Sequence, residues 1–472
     1  MPNRKQGGRE PAEGESRFVA WVVIAGHFAG PFMFSAVAVA LPPLGAELSA
    51  GASDLGLVET LFLAGSVAFL LPVGRLADVA DRRTLYRAGL AIFGLASLAI
   101  AASGSMEVIL VLRFVQGIGS AVISATGPAI LADLVMPERR GRAYGWAIGV
   151  TYGGLTLGPL VGGVLISAWG WRAVFVGGAM LLLGAYALLR RYLRSRFQWP
   201  PAGALHLPSI GLVVTSVVAV VFGAAFLDRP LLGGSMVAVG LALGAVFTLW
   251  QTRLPSPLLD VDALLKNRVL RGALVVQALL YMSAYASLFM LSLYLQAVLG
   301  RTPALAGRVL ALGTVLMAVC APIAGALADR LRPALLASVG VASVLLSSLL
   351  AVALGPGSEL HAVVMVLAAQ GIGFAFFSSP NMTLIMNSVP NSAVGGASAL
   401  GATSRSFGMI SGMLMISVLL TLALGDLPVA SAPLRFIEVM HSAYSLLAVA
   451  GALALVLCLR GFFLARRLSR QG

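Results

Sequence analysis

Four ionisable side chains sit inside long apolar stretches of this chain: Glu59, Arg113, Arg405 and His27. In hydrocarbon such a group costs ~2.5–3.5 kcal/mol on insertion scales, so it is kept for a purpose. Glu59 and Arg113 each fall roughly 10 Å inside the same end of their stretches, at ~1.5 Å of helix per residue. A carboxylate and a guanidinium at one depth can pair, and protonating Glu59 would then release Arg113. Burial disfavours the charged acid and a nearby arginine favours it, so the two effects can bring it to working pH. The plainer reading of this pair is a fixed structural ion pair. His27 is a rival proton site by its intrinsic chemistry, although a lone histidine among small apolar residues is more often packing. Arg405, close to the middle of its stretch, bonds neighbouring carbonyls, serves a cavity or couples conformations.

Aromatic side chains recur at helical spacing. Tyr281, Tyr285 and Phe289 share one face, Phe28 and Phe32 another, and Phe377 shares a face with Asn381. Gln116 and Gln277 add polar groups. Such faces suit flat, greasy or cationic ligands, and equally suit ordinary helix packing.

The elements that must position these residues are membrane helices. The chain is 472 residues long, 59% hydrophobic and 11% charged, a balance foreign to soluble domains. Its apolar runs are long enough to cross ~30 Å of hydrocarbon as helices, and they are continuous, which excludes a β-barrel. Fourteen spans are expected, at roughly 18–42, 55–77, 85–103, 106–134, 142–168, 171–193, 206–227, 232–252, 270–299, 304–328, 333–355, 359–387, 395–424 and 436–464. With the N-terminus in the cytoplasm, 25 basic residues fall on the cytoplasmic side and five outside. That skew puts both termini inside and accounts for the net charge of +14 without nucleic acid. The basic residues are almost all arginine, as a GC-rich bacterial genome favours. Cys320 and Cys458 lie in apolar runs, and no disulfide, metal or nucleotide motif is present. No enzyme signature and no cofactor is therefore expected.

The same words occur twice. Gly74-Arg75-Leu76-Ala77-Asp78 returns as Gly325-Ala326-Leu327-Ala328-Asp329, and Gln116-Gly117-Ile118-Gly119 returns as Gln370-Gly371-Ile372-Gly373. Duplicated halves in a membrane protein point to a transporter, with its substrate site between the repeats. Eight spans separate the first pair of copies, so spans 7 and 8 read as inserted between two six-helix halves. The expected organisation is a tail at 1–17, a six-helix bundle at 18–193, a linker with two inserted helices at 194–268 and a second bundle at 269–472. Within the linker, Leu258 to Leu265 has the pattern of a short helix lying on the membrane surface.

Taken in order, these words resemble the motifs of the major facilitator superfamily. Gly74-x-Leu76-Ala77-Asp78 with Arg82-Arg83 resembles its motif A. Arg113 with Gln116-Gly117-x-Gly119 resembles motif B. Gly154, Gly158-Pro159 and Gly162-Gly163 resemble motif C, the antiporter motif, and Trp169-Gly170-Trp171-Arg172 follows. Fourteen spans resemble the drug:proton antiporter branch with that helix number. The resemblance implies an all-α integral membrane protein of the major facilitator fold, two pseudo-symmetric six-helix bundles plus two inserted helices. It implies proton-coupled efflux of lipophilic or cationic drug-like compounds by alternating access. The alternative is an exporter or facilitator of one metabolite, with or without proton coupling. The expected partners are a small-molecule substrate, protons and membrane lipid, and the expected state is a monomer in the inner (plasma) membrane. A charge cluster of Asp78, Arg82 and Asp133, repeated by Asp329 and Arg330, is implied as a conformational latch. Three positions depart from the pattern: Val79 where a basic residue is usual, Asp81 where glycine is usual, and Met33 where many drug antiporters of this branch carry an acid. Proton coupling is therefore either absent or carried by another residue.

Glycine spacing adds one more expectation. Gly141, Gly145, Gly149 and Gly153 recur every four residues, as do Gly154, Gly158 and Gly162. On a helix this makes a smooth strip for close backbone approach, readable as static packing or as a sliding surface between the halves.

Overall fold

A computed structural model describes residues 13–134, 137–192, 206–227, 229–254, 257–259, 261, 266–328, 330–389 and 394–468. Some helical residues, Asp78, residues 132–134 and 137–148 among them, are described for their backbone alone. Fourteen helices are long and apolar enough to cross a membrane, and no strand occurs among the described residues. They are α1 (Glu13–Leu48), α2 (Ala52–Val79), α3 (Arg82–Ala102), α4 (Met106–Leu134), α5 (Pro137–Trp169), α6 (Arg172–Tyr192), α7 (Leu207–Ala225) and α8 (Pro230–Gln251). Then come α9 (Arg268–Leu293, prolonged by a π turn, Tyr294–Val298), α10 (Pro303–Ala328), α11 (Pro333–Val352), α12 (Leu360–Asn387), α13 (Val394–Ala423) and α14 (Pro433–Leu468).

Local chemistry sets several of the boundaries. Asp81, one of the departures noted above, caps α3: its carboxylate accepts from the Arg83 backbone N–H at 3.1 Å and from the Thr84 hydroxyl at 2.6 Å. Aspartate suits that position because the first turn of a helix leaves donors unpaired. Asn267 caps α9 in the same way, at 3.0 Å from the Leu270 N–H. Gly170 and Gly425 end α5 and α13 with φ of 79° and 54°, a left-handed turn that glycine alone adopts without strain. Pro42 does not close α1 as its sequence suggests; the helix runs through Pro42 and Pro43 to Leu48. Missing N–H groups are tolerated in membrane helices where neighbours compensate. The surface helix expected near Leu258–Leu265 lies largely outside the described residues.

Packing repeats as the words do. In the first half α2 packs on α4, α3 on α4 and α6, and α1 on α5 and α6; in the second, α10 packs on α12, α11 on α12 and α14, and α9 on α13 and α14. The correspondence reaches single glycines. A Cβ on Gly154 would lie 2.6 Å from the Phe28 carbonyl oxygen, and one on Gly408 would lie 2.2 Å from that of Ala278. Gly158 meets the Phe32 oxygen at 2.7 Å, and Gly412 meets that of Met282 at 2.0 Å. Gly89 with Gly119, and Gly340 with Gly373, make the matching crossings of α3 on α4 and of α11 on α12. At each point two backbones meet, and only hydrogen fits.

We call the face carrying Leu48–Ala52 distal and the face carrying Val79–Arg82 proximal. The halves meet along two related seams, α5 on α10 and α2 on α13. In the first, a Cβ on Gly163 would sit 2.6 Å from the Pro303 oxygen and one on Gly307 2.0 Å from the Pro159 oxygen. In the second, Gly51 approaches Asp426, Gly56 approaches Ser417, and the Ala52 and Ser53 N–H groups donate to Leu427 and Gly425. Ser292 donates to the Ala38 carbonyl at 2.6 Å and Gln296 to that of Val39 at 3.1 Å. These contacts close the distal side. The inserted pair, α7 and α8, zips together through Ser216 onto the Gly240 carbonyl (2.7 Å) and Gln251 onto Ser209 (2.9 Å). Helix α7 lies against both α2 and α13.

Candidate functional site

The first-half core holds a continuous polar network in an apolar bundle. Glu59 on α2 and Arg113 on α4 are both fully buried and paired, Nη2 to Oε2, at 2.8 Å. Arg113 Nε donates to the Val58 carbonyl at 3.0 Å, and its Nη1 donates to the Gln116 side-chain oxygen. Its guanidinium also stacks 4.6 Å from the centre of the Phe62 ring. Gln116 Nε2 passes the chain to Ser97 Oγ at 2.8 Å, and Ser97 donates to the Phe93 carbonyl at 2.8 Å. The network therefore ties α2, α3 and α4 together. A guanidinium can satisfy such geometry because its donors are fixed in one plane. One acceptor remains over: Glu59 Oε1 is buried without a hydrogen-bond partner among the described residues.

The two helices reach this contact because α2 and α4 cross at glycines. A Cβ on Gly65 would lie 2.2 Å from the Phe114 oxygen, and one on Gly117 would lie 2.1 Å from that of Phe62. The same turns carry Arg113 and Glu59 into register.

His27 lies elsewhere in this half. Its Nδ1 faces the Val23 carbonyl at 2.9 Å, which also accepts from the Tyr86 hydroxyl at 2.9 Å. A carbonyl can only accept, so Nδ1 carries the proton, and the buried Nε2 is left without a partner. The ring fills the space beside Gly127 on α4.

The expected cavity residues fall into three groups. Gln116 belongs to the Arg113 network. Gln277 and Asn381 satisfy each other: Asn381 Nδ2 donates to Gln277 Oε1 at 3.1 Å, and Gln277 Nε2 donates to the Gly401 carbonyl at 2.7 Å. They clamp α9, α12 and α13, and Phe289 and Phe377 are buried to within 1%. The three polar residues are thus taken up by hydrogen bonds within a half. Phe28 and Phe32 stack at 5.2 Å, with Phe28 also on an apolar groove beside Trp21 and Leu181.

Tyr281 and Tyr285 instead meet the other half. Tyr285 packs edge-on against Phe34 of α1, centroids 3.8 Å apart. Arg405 lies over the Tyr281 ring at 5.9 Å. Tyr152, on α5, packs into the same cluster from across the interface, beside Ser378. Sequence reasoning passed over Tyr152; its one signal was a large aromatic set between Gly149 and Gly153. Glu47 was also passed over. It accepts from Trp171 Nε1 at 2.9 Å and pairs with Arg172, so the Trp-Gly-Trp-Arg turn is pinned to the distal end of α1.

The glycine strip of α5 has two faces. Gly154, Gly158 and Gly162 pack on α1 within the first half, whereas Pro159 and Gly163 meet α10 of the second. Gly149 and Gly153 have nothing within 4 Å of a would-be Cβ; Gly141 and Gly145 fall among residues described for their backbone alone. Of the latch residues, the side chains of Asp78 and Asp133, and Asp329 altogether, lie outside the described residues. Arg82 Nε donates to the Ala77 carbonyl at 2.9 Å, a Cβ on Gly74 would meet nothing within 4 Å, and Arg330 is exposed.

Comparison with known proteins decides the family. The model of the Major Facilitator Superfamily matches residues 23–413 and 273–471. The chain belongs to this superfamily. Among curated relatives, the multidrug resistance protein Stp of Mycobacterium tuberculosis is 27% identical over 399 residues, 81% of this chain and 72% of the relative. The riboflavin transporter RibZ of Clostridioides difficile is 25% identical, over 84% of this chain and 87% of the relative. The fold matches a crystal structure of a bacterial homolog of the human lysosomal transporter Spinster with a TM-score of 0.70 at 15% identity, covering 96% of this chain and 98% of that one. This major facilitator chain is a transporter and not an enzyme, and a multi-pass membrane protein whose relatives include multidrug resistance proteins.

Proposed function

We propose that the protein exports lipophilic drug-like compounds in exchange for protons, by alternating access, as a monomer in a bacterial plasma membrane with both termini in the cytoplasm. The distal face is then external, and the sealed distal seams belong to an inward-facing state. The observation that carries the coupling is Glu59: a buried carboxylate with one oxygen on Arg113 and the other unpartnered. Protonation removes the charge that holds Arg113, and the freed guanidinium keeps its bonds to Val58 and Gln116. The α2–α4 contact thereby gains two discrete arrangements, and α2 lies on the seam with α13. His27, with its free Nε2, is the rival site. Met33 is buried against Gly178 and has no titratable group to offer. Asp78, Arg82 and Asp133, with Asp329 and Arg330, are assigned to the proximal latch.

The test is gradient-driven transport in proteoliposomes with a panel of lipophilic compounds, comparing wild type with Glu59→Gln, His27→Ala and Arg113→Ala. We expect Glu59→Gln to lose accumulation driven by an imposed pH gradient; undiminished accumulation removes Glu59 as the coupling site.

A second reading, transport of one metabolite without protons, is favoured by the missing acid at Met33 and by a relative named for riboflavin. Proton release from purified protein on substrate addition separates the two.

A further inference from the structure

The two arginines inside spans have opposite surroundings. Arg113 is buried against Glu59. Arg405 has no ion pair or hydrogen bond among the described residues and is exposed, with its guanidinium over the Tyr281 ring. Tyr285, one helical turn from Tyr281 on α9, and Tyr152, from the opposite half, both lie within the field of Arg405. Glu59, an acid whose field also reaches Tyr285, is already engaged by Arg113 at 2.8 Å. An uncompensated guanidinium within a span is costly to keep.

We propose that Arg405, with Tyr152, Tyr281 and Tyr285, binds the acidic group of a planar aromatic substrate. The site selects aromatic anions over cations. A guanidinium recognises carboxylate and related anions through its planar fork of donors, and tyrosines supply flat apolar faces with hydroxyl tips. Aromatic rings can also attract cations, but here Arg405 already lies over Tyr281, and its charge repels a second cation. The substrate would touch both halves, Tyr152 on one and Arg405 on the other, as a site between repeats requires. The inference rests on the export reading and narrows it: an anion leaving the cell moves with an inside-negative potential, so potential and pH gradient drive the exchange together.

The test is equilibrium binding to the purified full chain in nanodiscs, with 2-naphthoate, 2-naphthamide and a naphthylmethylammonium as matched probes. Wild type is expected to bind the naphthoate at least about tenfold tighter than the amide, and the ammonium weakest. Arg405→Gln should erase that preference, weakening the naphthoate far more than the amide, and Arg405→Lys should keep part of it. Equal binding of acid and amide by wild type, or tighter binding of the ammonium, overturns the proposal, and this comparison needs no variant to fold. Naphthoate bound through Arg405 but not moved by an imposed gradient upholds the site and defeats the export reading. Gradient-driven export with no preference for the acid does the reverse.

Discussion

The α2–α4 crossing of the first half and the α10–α12 crossing of the second are built on the same small residues and differ in charge. Gly117 beds against Phe62 in one, and Gly371 against Gly313 in the other, each with a Cβ-to-oxygen approach of 2.1 Å. Gln116 and Gln370 hold matching places. Yet where the first half has Glu59 and Arg113, the second has Leu310 and Leu367, 251 and 254 residues on and buried to within 4%. There Gln370 donates to the Ser283 carbonyl at 3.2 Å, with no charge to orient. The apolar version shows that this crossing does not need an ion pair to form. On the proposed reading the pair in the first half serves coupling rather than the fold, since replacing buried pairs by apolar side chains is often neutral or stabilising.

Breaking that comparison by removing one partner should give the largest effect. Arg113→Leu alone leaves Glu59 buried and uncompensated, and should lower stability by about 3–5 kcal/mol, read from unfolding titrations in mixed micelles. Glu59→Leu together with Arg113→Leu copies the second half into the first. We expect this double variant to regain wild-type stability or exceed it, yet to show no gradient-driven transport; wild-type accumulation by the double variant would make the pair structural.

A smaller effect sharpens the glycine correspondence. Gly158→Ala and Gly412→Ala place a methyl 2.7 Å and 2.0 Å from backbone oxygens of α1 and α9. Each should cost about 1–3 kcal/mol by overpacking. A large loss in one variant and none in the other would break the equivalence of the two halves. Gly307→Ala meets Pro159 at 2.0 Å across the distal seam, so its expected signature is a shift toward a distal-open state, measured as increased labelling of a cysteine introduced at Ser417. The smallest effect belongs to Gly153→Ala, where nothing lies within 4 Å; it should stay within about 0.5 kcal/mol of wild type.

Much of this was open to reading along the chain, and the misses share a cause. The depth match between Glu59 and Arg113 could be counted from span ends, because helical rise is uniform. Gln116 stands three residues from Arg113 on α4, a local pairing, but that its amide nitrogen meets Ser97 rather than a cavity depends on how α4 faces α3. Gln277 and Asn381 were likewise placed on a wall when they face each other, 104 residues apart. Tyr152 went unremarked because its partners lie on the other half.

The chain alone determined that there are fourteen membrane helices, that they come in two related sets with a pair inserted between, and that four ionisable groups lie at depth. Those features are contiguous or periodic, and hydrophobic runs and repeated words carry them without reference to neighbours. Tertiary structure alone decided which face of α5 meets α1 and which meets α10, and which arginine is paired and which is exposed. Such outcomes depend on the rotation and crossing of helices brought together by glycine contacts, and no local pattern records where a side chain's partner will come from.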